Sequence, residues 1–193
     1  MADCALARVQ TRSCLLYRRA RMPITPKLRC PPLAPPFRVV LVEPEIPPNT
    51  GSIARTCAAT SSPLHLIEPL GFRIDDRSLK RAGIDYWHLV DVHIHRDLPS
   101  FAEAFPTCMH FMSSEASRSY LEADLQPGDA LVFGKESVGL PRELLQANRD
   151  RVWAIPTSGR VRSLNLSNAV AIVLFEALRR HCGLDATFVE SDG

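Results

Sequence analysis

The segment RVWAIPTSGRVRSLNLSNAVAIVLFEALRR, residues 151–180, constrains the fold of this chain more than any other. Its hydrophobic pattern predicts a short strand at 152–155, then a polar and basic loop, and then a strongly apolar helix at 167–181. In α/β proteins the loop between a strand and a helix N-terminus commonly carries the functional residues, because it lies at the carboxyl edge of the sheet. The segment therefore predicts both an α/β fold and the place of its functional site.

Small polar side chains are dense at the start of that helix, where residues 163–168 read SLNLSN. Asn and Ser cap helices by accepting hydrogen bonds from first-turn N–H groups, so one interpretation is an elaborate N-cap. One cap needs one such residue, whereas this segment has four: Ser163, Asn165, Ser167 and Asn168. The surplus favours a second interpretation, in which the loop is shaped around a ligand.

Short aliphatic runs alternate with helical segments through the rest of the chain. The run at 39–42 has no polar position, which is typical of a strand buried on both faces of a parallel sheet. This alternation predicts one α/β domain with a mainly parallel sheet flanked by helices. The other predicted strands are 64–67, 88–94, 109–112 and 130–133, and the other predicted helices are 49–60, 75–83, 98–105 and 141–147.

The charge of the chain is nearly balanced overall but uneven along its length. The 193 residues include 23 Lys and Arg and 21 Asp and Glu, a formal net charge of +2. Residues 1–36 hold seven of the basic residues and one of the acids, which leaves 16 basic and 20 acidic residues, a net charge of −4, for residues 37–193. Any affinity of this second part for nucleic acid must therefore come from a local patch rather than from total charge.

The first segment, residues 1–36, combines arginines with prolines and shows neither a helical nor a strand period. This composition predicts a disordered, basic, Pro-rich leader. Three interpretations of it stay open: an extension upstream of a start near Met22, an organellar targeting peptide, or a basic arm that holds RNA. The predicted domain spans residues 37–183, and residues 184–193 form a C-terminal tail.

Cysteine and histidine positions argue against disulfides and metal sites. The six cysteines are scattered with no CxxC pair, which favours a reducing, cytoplasmic environment. His93 and His95 share one face of a predicted strand, but without a third ligand they are better interpreted as packed or solvated side chains. The longest apolar run, 169–175, is far too short to cross a bilayer. We therefore predict no metal and no membrane partner.

Three strand-to-helix loops, at 43–51, 134–141 and 156–167, carry most of the polar candidates. Because the carboxyl ends of parallel strands share one edge of the sheet, we expect these loops to converge on one site. No G-x-G-x-x-G follows the first strand and no G-x-S-x-G occurs, which argues against a standard dinucleotide site and against a hydrolase nucleophile elbow.

The same loops carry a more specific pattern. The segments NTGSIAR (49–55), FGKESVGLP (133–141) and IPTSGRVRSLNLSNAVAI (155–172) resemble the three ordered motifs of the SPOUT-class, SpoU-type RNA 2′-O-methyltransferases. Two further segments, EPEIPPNTG (43–51) and IDDRSLKRAGIDYW (74–87), are similar to one branch of that family. That branch, the TrmL-like enzymes, methylates the ribose of the wobble nucleotide of tRNA, a cytidine or uridine at position 34.

The resemblance implies features that spacing alone does not provide. Family members bind S-adenosylmethionine in a deep C-terminal trefoil knot, a rare exception to ordinary chain topology. They act as homodimers with the first and last helices at the interface. The implied function is an S-adenosylmethionine-dependent tRNA 2′-O-methyltransferase. The alternatives are a SpoU-type enzyme for another tRNA position or for rRNA, a non-catalytic RNA-binding protein with the same fold, and an α/β binder of another nucleotide.

The resemblance also assigns site residues. Arg55 matches the arginine of the first motif, and because a guanidinium stays protonated we expect it to position the ribose-phosphate and stabilise the developing alkoxide. Gly134 fits a cofactor pocket, since a missing Cβ lets the cofactor lie against the backbone. The catalytic group is Arg55, Arg162 and Asn165, the cofactor-binding group is Met112, Gly134, Ile155, Ser163 and Leu164, and the structural group is Asn49, Glu136, Gly139 and Asn168.

Substrate detail depends on the basic surface and on two departures from the family pattern. Thr157 stands where methionine is common, and Phe175 stands where a close relative pattern has tyrosine. Since no separate RNA-binding domain is visible, the dimer must form the tRNA groove itself. The basic candidates, each of which could also be ordinary solvated charge, are Arg55, Arg73, Arg77, Lys80, Arg81, Arg160 and Arg162.

Overall fold

The computed structural model describes residues 27–73 and 87–189. Three predicted features lie outside these ranges: residues 1–26 of the leader, the helix at 75–83 with its basic side chains, and tail residues 190–193. The strands are β1 (Lys27–Arg29), β2 (Arg38–Val42), β3 (Leu64–Ile67), β4 (Val92–His95), β5 (Met109–Met112), β6 (Ala130–Phe133), β7 (Val152–Trp153) and β8 (Thr187–Val189). The helices are α1 (Pro47–Thr60), α2 (Leu98–Ala104), α3 (Arg142–Ala147) and α4 (Leu166–Arg180).

Strands β2 to β7 form one sheet in the order β4-β3-β2-β6-β5-β7, and every pairing in it is parallel. Central strand β2 pairs with β3 on one side, Val39 opposite Leu64, and with β6 on the other, Val39 opposite Leu131. The predicted α/β class with a mainly parallel sheet is confirmed. Strands β3 and β4 lie on one side of β2, and β6, β5 and β7 lie on the other, so the direction in which the chain adds strands changes next to β2. Open parallel sheets carry their ligand crevice at such a point.

Helices cover both faces of the sheet, which explains why its strands are apolar at successive positions. On one face Val39 and Leu41 pack with α1 and α4, and on the other Val40 and Val42 pack with Phe101 of α2. Val39, Val40 and Leu41 have no exposed surface at all. None of the helices in the described ranges is both long and apolar enough to span a bilayer.

Helix α1 begins at Pro47, two residues before the predicted start. Pro47 and Pro48 were predicted to lie in the 43–51 loop before the helix at 49–60, and that prediction was wrong. A proline suits the first turn of a helix, because its fixed φ is helical and its missing N–H would have no helical partner there. The consequence is that Asn49 lies inside the first turn, where its side chain is buried.

Two strands are shorter than predicted. β4 begins at Val92 rather than His88, because Trp87–Leu89 form a 3₁₀ turn. β7 ends at Trp153 rather than Ile155, because the next residue, Ala154, leaves β5 and forms a parallel bridge with Ser119. This early exit from the sheet carries the following loop toward the carboxyl edge.

Strands β1 and β8 form a separate two-stranded antiparallel sheet, in which Leu28 lies opposite Phe188. They belong to a compact unit distinct from that of residues 30–186. Neither terminal strand was predicted from the sequence, because strands this short leave no readable alternation of polar and apolar residues.

Candidate active site

The loops that follow β2, β6 and β7 meet at the carboxyl edge of the sheet, as predicted. Nδ2 of Asn165, in the loop after β7, donates to Oδ1 of Asn49 at 3.0 Å. Nδ2 of Asn49 in turn donates to Oε1 of Glu136, in the loop after β6, at 3.0 Å. A continuous chain of side-chain hydrogen bonds therefore joins all three loops.

Two carboxylates clasp the loops after β2 and β6 in opposite directions. The Glu136 carboxylate accepts from the backbone N–H of Glu45 at 2.9 Å and from that of Ile46 at 3.3 Å. The Glu45 carboxylate accepts from the hydroxyl of Ser137 at 2.9 Å and from its backbone N–H at 3.0 Å. These bonds from Ser137, the side-chain one above all, lower the pKa of the Glu45 carboxyl. Each loop thus satisfies backbone donors of the other, which fixes their relative position.

An ion pair adds a further link between the same loops. Nζ of Lys135 lies 2.7 Å from Oε2 of Glu43, and this contact raises the pKa of the lysine. Both side chains are about one-third exposed, so solvent screens the pair and its contribution to stability is small. Its effect is to orient the second loop rather than to stabilise the fold.

A cavity of about 820 Å³ opens between the three loops. Small-molecule sites typically measure about 300–1,000 Å³. Apolar side chains such as Phe133 and Leu166 form part of the wall, and polar groups, among them those from 113–115 and 134–137, form another part. The wall includes all five residues that the resemblance assigned to the cofactor: Met112, Gly134, Ile155, Ser163 and Leu164.

The structural reason for a glycine at position 134 differs from the one expected from the sequence. A Cβ built on it would lie 2.2 Å from the carbonyl carbon of Gly139 and 2.3 Å from the backbone nitrogen of Leu140. A side chain at this position would therefore meet the backbone of Gly139 and Leu140, which belong to the same loop, and would not enter the cavity. Gly139 closes this tight loop with a φ of +75°, and its N–H donates to the Lys135 carbonyl at 2.9 Å. The glycine at 134 permits the loop itself.

The two predicted arginines, and the two predicted asparagines at the start of α4, differ in their position relative to the cavity. Arg162 is exposed, lines the cavity and donates from Nη2 to the Ser137 carbonyl at 3.0 Å. Arg55 lies on the exposed side of α1 and, among the described residues, is not in the cavity wall. Asn165 caps α4, because its Oδ1 accepts from the Ser167 N–H at 2.9 Å, while Asn168 is exposed on the first turn outside the wall.

A family comparison decides what these motifs belong to. The profile of the SpoU rRNA Methylase family matches residues 36–175, which is most of the chain and includes all three loops. The chain belongs to the SpoU rRNA methylase family.

Individual proteins that are similar to this SpoU protein have descriptions that specify an RNA substrate. A protein of Bacillus subtilis (strain 168), which carries the provisional name tRNA (cytidine(34)-2′-O)-methyltransferase, is 50% identical over 148 residues, which are 75% of this chain and 92% of that protein. A solved structure described as giving structural insights into the 2-OH methylation of C/U34 on tRNA is 46% identical, with a TM-score of 0.71 over 76% of this chain and 97% of that one. An AdoMet-bound rRNA methyltransferase from Sinorhizobium meliloti is 26% identical, with a TM-score of 0.64 over 75% of this chain and 56% of that one.

Two residues that shape the site of this SpoU chain were not predicted from the sequence. Glu45 and Ser137 both lie in the quoted motifs but were not among the predicted site residues. Their signals were a carboxylate before a proline-rich turn and a hydroxyl next to Glu136. Pairing them required the structure, because they are 92 positions apart in the sequence.

The two departures from the family pattern have different surroundings. Thr157 lines the cavity, and its hydroxyl accepts from the Gly159 N–H at 3.3 Å. Phe175 lies on α4 with 43% of its surface exposed, away from the described cavity wall. Only the first departure can therefore affect the cavity directly.

A third histidine accompanies the pair noted in the sequence. His65 on β3 is fully buried, stacks on His93 with ring centroids 4.8 Å apart, and its Nδ1 lies 3.0 Å from Nε2 of His95. Burial, reinforced by His93, His95 and Arg38, lowers the pKa of His65 to about 3. His65 and His95 are hydrogen-bonded to each other through these nitrogens, and Phe101 and Phe105 pack edge-on against the His65 ring, so the cluster is a packed one.

Cys108, His110 and Asp129 bring possible ligand atoms within 4.8 Å of one another. The Trp153 indole N–H donates to Nδ1 of His110 at 3.2 Å, and since an indole only donates, the neutral ring carries its proton on Nε2. That proton faces Oδ2 of Asp129 at 3.1 Å. The group is therefore a hydrogen-bonded one in this arrangement, and the absence of a metal stays a prediction.

Proposed function

We propose that this protein transfers a methyl group from S-adenosylmethionine to the ribose 2′-hydroxyl of a tRNA wobble nucleotide, a cytidine or uridine at position 34. The observation that carries the proposal is the cavity between the three loops, which brings together residues of all three SpoU motifs. The relatives named for methylation at position 34 support the choice of nucleotide.

The cavity fits the cofactor that the family implies. S-adenosylmethionine combines a flat apolar-faced adenine with charged and hydroxyl groups, and the wall offers apolar Met112 and Ile155 next to the polar Ser163 and the cationic Arg162. When bound, the cofactor supplies a methyl group that its sulfonium makes electrophilic. We assign its binding to Met112, Gly134, Ile155, Ser163 and Leu164.

The chain contributes alignment and charge rather than a strong base. Asn165 and Asn49 hold the loop after β7 against α1, which fixes the cavity wall before the ribose arrives. Arg162 is anchored at the Ser137 carbonyl by one guanidinium nitrogen, which leaves other N–H groups for the RNA. Arg55 is assigned to the ribose-phosphate, where its fixed positive charge would stabilise the 2′-oxygen. As that oxygen bonds to the methyl carbon, the carbon–sulfur bond of the sulfonium breaks to leave a neutral thioether, and the hydroxyl proton passes to water.

The proposal includes a C-terminal trefoil knot formed by the segment after β7. Two contacts support it. Ala154 leaves the sheet and exchanges backbone hydrogen bonds with the 118–120 segment, and Asn165 then reaches the first turn of α1. A segment held on both sides in this way is consistent with threading beneath the loop that follows β5.

The proposal also includes a homodimer built on α1 and α4, in the cytoplasm where tRNA is available. α4 exposes 38% of Ile172 and 43% of Phe175, although its opposite side is buried against the sheet. Apolar side chains exposed on a helix suit a subunit interface. The catalytic domain of the proposal is residues 37–183, with 1–36 as leader and 184–193 as tail. Sedimentation of the purified protein at twice the chain mass is the expected result for the dimer.

Labelled methyl transfer tests the function. The protein is incubated with methyl-labelled S-adenosylmethionine and either tRNA or rRNA, and the RNA is hydrolysed with alkali. A 2′-O-methyl group blocks cleavage at its own nucleotide, so we expect label in an alkali-resistant dinucleotide from tRNA. Label in rRNA alone would assign a different substrate. RNA binding with no transfer would identify a non-catalytic protein, and no binding heat with S-adenosylmethionine would contradict the cofactor.

A further inference from the structure

A second groove of about 500 Å³ opens beside the proposed methyl-transfer cavity. Its walls are the 113–118 loop after β5 on one side and α3 with the turn that follows it on the other. Four residues belong to both walls, so the groove is continuous with the cavity: Ser113, Glu115, Arg142 and Leu145. We call this surface, with Ala116, Ser117, Arg118, Gln146, Arg149 and Val152, the arginine groove.

The arginine groove is positively charged. It holds Arg118, Arg142 and Arg149 but one carboxylate, that of Glu115. Within the described ranges, neither the Arg142 nor the Arg149 guanidinium has a carboxylate within 4.0 Å. Residues 37–193 are net negative, so this excess is local. A polyanion would therefore be attracted to this face rather than to the surface in general.

One of the three arginines is held rigidly. The Arg118 guanidinium carbon lies 4.2 Å from the Trp153 ring centroid, and Nη1 donates to the Asp150 carbonyl at 3.0 Å. Trp153 is itself fixed, since it is buried and donates to His110. A guanidinium with five N–H donors and one such bond keeps donors for a phosphate oxygen at little further entropic cost.

The remaining wall chemistry suits a sugar-phosphate backbone rather than bases. The hydroxyls of Ser113 and Ser117 and the amide of Gln146 can hydrogen-bond phosphate and ribose oxygens. No aromatic side chain lines the groove within the described residues, so it offers no aromatic platform on which successive bases would stack. Contacts of this kind position an RNA without reading its sequence.

We propose that the arginine groove binds the phosphate backbone of the tRNA substrate next to the nucleotide that is methylated. This inference rests on the proposed function, because it uses the cavity as the place of the target ribose. Arg142, at the junction, contacts the phosphate nearest the cavity, and Arg118 and Arg149 contact phosphates farther along the strand. None of these three arginines was predicted from the sequence to lie on the RNA-binding surface.

A matched pair of variants tests the inference. Arg149→Ala and Arg151→Ala each remove one exposed arginine from the same 3₁₀ turn. Arg149 lines the groove, whereas Arg151 points away and contacts Cys108 at 3.6 Å. Binding of tRNA is measured by fluorescence anisotropy across a salt series, and S-adenosylmethionine binding by calorimetry. A double variant, Arg142→Ala with Arg149→Ala, and a charge reversal, Arg149→Glu, extend the series.

The expected result is a weaker and less salt-dependent complex. Arg149→Ala should weaken tRNA binding about three- to tenfold and reduce the slope of log affinity against log salt by about 0.7–0.9, since one phosphate contact is lost. The double variant should lose about twice that slope. Arg151→Ala should change neither quantity, and cofactor affinity should stay the same in Arg149→Ala and in Arg151→Ala.

Three outcomes would overturn the inference. If Arg149→Glu and the double variant bind tRNA like the unmodified protein while that protein still methylates tRNA, the groove is not a phosphate site and the proposed function stands. If Arg149→Glu changes the sedimenting mass but not tRNA affinity, the groove is an interface between copies of the chain. If the unmodified protein neither binds nor methylates tRNA, the proposed function fails first, and the inference fails with it.

Discussion

Nδ2 of Asn165 donates to Oδ1 of Asn49 at 3.0 Å, although 116 positions separate the two residues in the sequence. The same Asn165 caps α4 through its Oδ1, which accepts from the Ser167 N–H at 2.9 Å. One amide therefore sets the start of α4 and ties it to the first turn of α1. The density of small polar residues at 163–168 serves both a cap and a contact with another loop.

Asn165→Asp separates these two roles. Aspartate keeps the oxygen that caps the helix, but it places a second acceptor against Oδ1 of Asn49, so the link between the loops is lost. We expect S-adenosylmethionine affinity to fall about tenfold with little change in thermal midpoint. Asn168→Asp, on the exposed side of the same turn, is the control. Unchanged calorimetric affinity in Asn165→Asp would show that the link does not shape the cavity.

The two glycines of the loop after β6 should respond differently to alanine. At Gly139 a Cβ meets no atom within 4 Å, so Gly139→Ala costs the positive-φ penalty alone, about 1–2 kcal/mol. At Gly134 the Cβ would lie 2.2 Å from the backbone of Gly139, so that part of the loop must move. We expect Gly134→Ala to lower the free energy of unfolding by about 3 kcal/mol or more and to abolish cofactor binding. Urea unfolding of both variants measures this difference. Equal costs would mean that the loop opens freely.

Arg55→Ala should separate chemistry from cofactor binding. Because Arg55 lies outside the cavity wall, its loss should leave S-adenosylmethionine affinity nearly intact. Methyl transfer should fall by about 100-fold or more, since the proposed role of Arg55 is to stabilise the developing alkoxide with its positive charge. Ser52→Ala, one turn earlier on the exposed side of α1, is the matched control. Joint loss of binding and transfer in Arg55→Ala would make the arginine structural.

The buried His65 predicts acid sensitivity of the fold. Its pKa is about 3 in the folded chain, and the ordinary value of 6.5 applies once the chain unfolds. Between these values the unfolded state binds a proton that the folded state does not, so stability is complete above pH 6.5 and falls as pH decreases. The expected slope from this one group is about 1 kcal/mol per pH unit. His95, whose pKa is also lowered, contributes in the same direction.

Urea unfolding at several values between pH 4 and 7 tests this contribution. His65→Leu fills the same buried position without a titrating group, so its free energy of unfolding should depend less steeply on pH. Parallel pH profiles for the two proteins would show that His65 does not set the acid limit. The stacked His93 stays in both proteins, which keeps the comparison confined to one ring.

Much of the sheet could be predicted because its signal is local. A strand such as 130–133 is buried on both faces, so four apolar residues in a row identify it without knowledge of its neighbours. Convergence of the three loops also followed from the sequence, since parallel strands end at one edge. The motifs then placed residues such as Gly134 and Ser163 at that edge.

What failed depended on contacts between distant parts of the chain. The hydrogen bond between Glu45 and Ser137 joins residues that are 92 positions apart, and nothing in the sequence around either residue indicates the other. The explanation expected for Gly134 was wrong because the atoms that exclude a side chain there belong to Gly139 and Leu140 of the same loop and not to the cofactor. The start of α1 was wrong because Pro47 has two meanings, turn or first helical turn, and packing decides between them.

Mapping the methylated nucleotide by mass spectrometry tests the central claim most directly. Unmodified tRNA is incubated with the protein and S-adenosylmethionine, digested with a base-specific nuclease, and each fragment is sequenced by mass. The account predicts one added methyl group, about 14 mass units, on the ribose of nucleotide 34, and a rate of its addition lower by about 100-fold or more after Arg55→Ala. A methyl group on a base, on another nucleotide, or on none would contradict it.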